Sequence, residues 1–160
     1  LDLEPVTLRS EPARVLTKHA GRMFQIDDRH QPSHPFENHF LPEQNGMILD
    51  TATRLVWQHS GSRFPVPWNE AWDYVAQLSK NEFGGYSLWR LPTMNELLSL
   101  LNPQAASDFC LEFDFSDQQK CLWSSDTRSS RSAWVLDLEM GFVTSCDVLD
   151  SFHVKAVCSI

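Results

Sequence analysis

Apolar residues recur at helical spacing in the first two thirds of the chain and switch to alternation near its end. In "PARVLTKHAGRMF", Val15, Leu16, Ala20 and Met23 predict a short helix. "GMILDTATRLVWQ" predicts a hairpin: residues 47–49, a polar turn at 50–53, then residues 55–58. "WNEAWDYVAQLSK" sets Trp68, Trp72, Val75 and Ser79 on one side, with Ala71 and Leu78 beside them. That is an amphipathic helix of about three turns, anchored to a sheet by its tryptophans. Gly84-Gly85 interrupts the chain after it.

The next string, "GGYSLWRLPTMNELLSLL", joins an extended piece to a buried helix. Pro92 holds Leu91 extended. Thr93 and Glu96 have capping-box spacing, each able to accept from the other's backbone N–H. Met94, Leu97, Leu98 and Leu101 then recur as one helical face, which Pro103 stops. Trp89, Arg90, Pro92, Thr93 and Glu96 therefore each have a structural task, Arg90 supplying donors at a buried chain crossing. The competing reading is a ligand gripped by Trp89 and Arg90.

Period-two patterning follows. "CLWSSD" is one strand; "SAWVLDLE" aligns Trp134, Leu136 and Leu138; "GFVTSCDV" aligns Phe142, Thr144, Cys146 and Val148; "FHVKAVC" aligns Phe152, Val154, Ala156 and Cys158. Turns at 140–141 and 149–151 predict a meander of these strands with one buried side. Helices first and a meander last give a domain of α+β organisation. The domain is expected to occupy residues 46–160. Residues 1–45, with Pro5, Pro12, Pro32, Pro35 and Pro42, read as a partly ordered arm or linker.

At 160 residues, 42% hydrophobic and 11% aromatic, the chain can bury one proper core. Thirteen Lys and Arg against 21 Asp and Glu leave a net charge of −8, which opposes nucleic-acid binding and docking on anionic lipid. No apolar run reaches the roughly 20 residues of a membrane span. The chain lacks an initiator Met and a signal pattern, so a processed or internal start at Leu1 is expected.

Candidate chemistry is sparse. His30, His34 and His39 lie in proline-broken sequence that does not converge side chains, so a solvated linker is expected there rather than a metal site. Asp108, Glu112, Asp114 and Asp117 lack calcium-loop spacing and alternate with Phe109, Phe113 and Phe115, which reads as a solvated loop over tucked aromatics. Cys110, Cys121, Cys146 and Cys158 form no CxxC pair. They are either buried thiols or up to two disulfides, and Cys110–Cys121, flanking one loop, is the favoured bridge. Neither a Gly-rich phosphate cradle, a GxSxG elbow nor an HExxH helix occurs. No cofactor and no catalytic residue are expected. "RSSRS" at 128–132 is a small basic tip.

Taken in order, "D.ATRLVWQ", "W.EAW.YV..L", "GGYSLWRLPTMNEL", "LWSSD", "SAWVLDLEMGFV" and "FHVKAVC" resemble the Lcl C-terminal domain family of bacterial proteins, over residues 46–158. The resemblance implies a C-type-lectin-like fold, similar also to the formylglycine-generating-enzyme fold, with two helices packed on a small antiparallel sheet and ligands taken by long loops. It implies a module of surface proteins, some adhering to sulfated polysaccharides, or of signalling proteins including kinases, whose approach "LRSEP" resembles. The chain departs from calcium-dependent lectins: "WSSD" replaces their Trp-Asn-Asp motif, and Ser cannot supply the carboxylate oxygens calcium needs. Its acidity disfavours sulfated glycans. The implied function is non-catalytic recognition of a glycan, small molecule or protein through residues 103–132, with Trp123, Asp126, Arg128 and Arg131 as candidates. An extracytoplasmic setting, periplasm or cell surface, is expected. The alternatives are a structural or oligomerisation module strapped by its arm and, third, an enzyme using a metal or Cys146 and Cys158.

Overall fold

The computed structural model describes residues 4–34, 36–42, 44–102, 110–111 and 120–160. In chain order the elements are α1 (Thr17–Phe24), β1 (Met47–Asp50), β2 (Leu55–Gln58), α2 (Trp68–Lys80), α3 (Met94–Leu98), β3 (Leu101–Asn102), β4 (Cys110–Leu111), β5 (Cys121–Ser129), β6 (Ser132–Asp137), β7 (Phe142–Asp147) and β8 (Val157–Ser159). Strands β5-β6-β7 form one antiparallel sheet, β1-β2-β8 a second, and β3 pairs with β4. The class is α+β with small antiparallel sheets.

The meander stops one strand earlier than its alternation suggests. After β7 the chain leaves the sheet, and β8 pairs with β2 in register Val56↔Cys158. On the way, residues 152–157 stitch the molecule together. Phe152 bridges Val66, His153 runs parallel to Leu122 in β5, and Val157 exchanges both backbone hydrogen bonds with Arg90. The turn after β7 is closed by the Asp147 side chain, which accepts from the Leu149 N–H at 2.9 Å. Local turn chemistry ends a strand there but does not choose the partner of the next one.

The β5-β6-β7 sheet is covered on both faces, not one. Trp134, Leu136, Leu122 and Val143 pack on Val15, Ala20, Phe24, Met94 and Leu97. Ala133, Val135 and Trp123 pack with Ala71, Val75, Val154 and Ala156. In β6 residues 132–136 are all buried, as a strand with two covered faces requires. The first face is closed by α1, which belongs to the stretch expected to be a linker. Phe24 meets Trp134 edge-on at 5.4 Å, and the Trp134 indole N–H donates to the Val15 carbonyl at 2.9 Å. The buried positions of α1 are Ala20 and Phe24; Leu16 and Met23, expected inside, are exposed.

α2 buries Ala71 and Val75, while Trp68 donates its indole N–H to the Ser124 carbonyl of β5 at 2.9 Å. α3 is shorter than its leucine pattern: Leu101 is buried, but in β3.

Candidate functional site

The joint between α2 and α3 is built from charges satisfied indoors. Trp89, 4% exposed, donates its indole N–H to the Phe83 carbonyl at 3.0 Å. Arg90 forks onto Glu96, with Nη1 to Oε1 at 2.6 Å and Nη2 to Oε2 at 2.7 Å. Glu96 also accepts from the Thr93 N–H at 2.9 Å while Thr93 Oγ1 accepts from the Glu96 N–H, so the capping box is formed. Pro92 follows buried Leu91 and offers its carbonyl to the Ser125 N–H at 2.8 Å. The Glu96 carboxylate is buried and the Arg90 guanidinium, a quarter exposed, is turned onto it.

Asp126 is a second such hub. Its carboxylate is fully buried and takes both guanidinium nitrogens of Arg9, at 2.7 and 2.8 Å. It also accepts from the Ala13 N–H at 2.9 Å and from the Met94 N–H at 2.8 Å. Arm, β5 and the start of α3 therefore converge on one side chain. Arg9 completes the joint by donating to Asn95 Oδ1 at 2.9 Å, and Thr93 Oγ1 donates to the Arg9 carbonyl at 2.7 Å.

These placements correct half of the expected ligand set. Trp123 is wholly buried, its indole N–H on the Val66 carbonyl at 2.7 Å and its ring edge-on to Phe152 at 4.9 Å. In this structure neither Trp123 nor Asp126 offers an atom to an outside ligand, because each is already saturated inside the core. Arg128, near the end of β5, and Arg131, on the β5–β6 turn, are exposed. Arg128 Nε donates to Ser132 Oγ at 3.2 Å, the Ser129 and Ser132 hydroxyls lie 2.8 Å apart, and the Arg131 N–H donates to Ser129 Oγ at 3.2 Å. The turn at the two arginines is thus held in shape. Residues 103–109 and 112–119, including Asp108, Phe109, Glu112, Phe113, Asp114, Phe115 and Asp117, lie outside the described residues.

Cys121 is a free thiol, as are Cys146 and Cys158, so the Cys110–Cys121 bridge is not formed here; the Cys110 backbone pairs with Asn102 in the β3–β4 ladder. Burial, then the charge of Asp137, pushes the Cys121 thiol up to about 11. Burial pushes Cys158 to about 11 against the pull of Arg90, and raises Cys146 with help from Asp150. Such thiols are poor nucleophiles at neutral pH. Among the histidines of the arm, His30 shares its Nδ1 with the Val143 carbonyl at 3.0 Å, and His39 Nε2 lies 3.7 Å from Glu37.

Two cations tied into the interior, half-buried Arg9 and buried Lys155, escape sequence reading. Arg9 sits in a polar run with no periodicity, so nothing flags it. Lys155 hides at an apparently outward position of "FHVKAVC", yet it is fully buried and its Nζ donates to the His59 carbonyl at 2.5 Å. Burial drives its pKa down to about 6.

Fold and joint together define a small α+β domain whose ordered motifs form its interior. The chain matches the model of the Lcl C-terminal domain over residues 46–158 and belongs to that family. No curated protein matches it.

Proposed function

We propose that this chain is a non-catalytic recognition domain of a larger bacterial surface or signalling protein, C-type-lectin-like in organisation. It takes a glycan, small molecule or protein partner through residues 103–132, in an extracytoplasmic setting. The reading is supported by one observation above all: Trp89, Arg90, Glu96, Trp123 and Asp126 of the family motifs are engaged inside the fold, while Arg128 and Arg131 stand exposed beside a braced turn. Motif residues spent on architecture leave specificity to the loops they support. Raised thiol pKa values weigh against the cysteine enzyme. A glycan-array and metabolite thermal-shift screen tests the proposal, run in parallel on the Arg128→Ala/Arg131→Ala variant. Hits that disappear with the two arginines support this reading; hits that persist unchanged place recognition elsewhere.

The arm supports a second reading, a module that caps its parent protein, because Arg9 straps the incoming chain onto Asp126. A solution mass equal to one chain would count against its oligomeric form.

A further inference from the structure

The acidic net charge hides a segregated basic face. No Asp or Glu lies between Glu11 and Asp27, and none between Asp126 and Asp137. The fold joins these stretches: Arg14 bridges Thr127, and the Val15 N–H donates to the Thr127 carbonyl at 2.7 Å. The first of these stretches lines a cavity of about 420 Å³ with Arg14, Val15, His19, Arg22 and Met23. The helical register explains the lining. Ala20 and Phe24 face the core, so His19, Arg22 and Met23, one turn apart on α1, face outward together. Among the described residues no carboxylate pairs with Arg14 or Arg22. The cavity therefore has an apolar floor of Val15 and Met23 and a rim of cationic forks without acidic partners.

We propose that this cavity binds a small amphipathic oxyanion: a phosphate or carboxylate held by Arg14 and Arg22, with an apolar or aromatic body lying on Val15 and Met23. Guanidinium groups match both oxyanions in bidentate geometry. The volume falls in the range of small-molecule sites. A merely solvated basic helix would not need an apolar floor. The site lies outside residues 46–158 and goes beyond the loop reading, so either can fail alone.

The test is an amide-resolved NMR titration of the full chain at constant ionic strength with phenyl phosphate, benzoate and phenol. The inference expects saturable shifts confined to residues 14–23 and their neighbour Thr127 for at least one anion, and none for phenol. The arm that saturates at lower concentration identifies phosphate or carboxylate as the headgroup. Arg14→Gln and Arg22→Gln, both at exposed positions, should each weaken binding about tenfold or more, the effect of one lost charged hydrogen bond. Their unchanged thermal unfolding would show that the fold is intact. Non-saturating shifts, binding unaltered in both variants, or shifts confined to residues 128–132 would overturn the inference; the last result would leave the loop proposal standing.

Discussion

Asp126 shows how one side chain can hold three segments of backbone. Both of its oxygens accept one guanidinium N–H and one backbone N–H. Asp126→Asn keeps the shape but turns an amide N–H₂ toward donors, so one donor–donor clash is unavoidable whichever way it flips. The expected loss is about 3 kcal/mol in urea unfolding, the usual scale for breaking a buried charged pair. Lys155 acts in the opposite sense. Folded, it titrates near 6 rather than the usual 10.5, so near pH 7 it is neutral inside and charged once unfolded. Between those values the unfolded state binds more protons, and stability must rise with pH. Lys155→Met should flatten the stability profile from pH 6 upward; an unchanged slope would show that another group sets it. At this scale the sequence was readable wherever a local motif fixes the geometry, as in the Thr93–Glu96 box. It misplaced Asp126 as a ligand residue and was silent about Lys155, because the surroundings of both come from distant chain. "WSSD" and "FHVKAVC" look the same whether such residues point outward or inward.

Elements were legible in kind and less so in partnership. The β1–β2 hairpin, α2 and the β5-β6-β7 order follow from turns and periodicity. Alternation does not say which edge a strand will join, so residues 152–158 looked like a fourth meander strand. Instead they run between the two sheets, tied by Trp123 N–H to the His153 carbonyl at 3.0 Å and Arg90 N–H to the Val157 carbonyl at 2.9 Å. Threaded backbone can open only when both sheets part. The amides of Trp123, His153, Val157 and Arg90 should therefore exchange hydrogen together, in the slowest class, at the free energy of global unfolding. Early exchange of His153 and Val157, as at a free edge, would contradict the threading. Thr93→Ala should cost about 1 kcal/mol as a lost cap, somewhat more here because the Arg9 carbonyl loses its donor too.

On the scale of the molecule, the β5-β6-β7 sheet lies between two coverings, and one of them comes from the first 26 residues. Composition conceals this: prolines and charges make the arm look like a tether, while its few apolar residues carry the contact. Val15, Ala20, Phe24 and Ile26 are all buried against the sheet and α3. The unbroken "AWVL" of β6 was the available sign that this sheet needs a second layer. Phe24→Ala should cost about 3–5 kcal/mol, the range for an aromatic removed from a core. Urea unfolding of residues 46–160 beside residues 1–160, followed by tryptophan fluorescence, tests the layered account most directly. The account predicts that the shorter chain loses its cooperative transition, or unfolds at a much lower midpoint, with Trp134 exposed to water. Coincident transitions with equal slopes would contradict it and return the arm to the status of a tether.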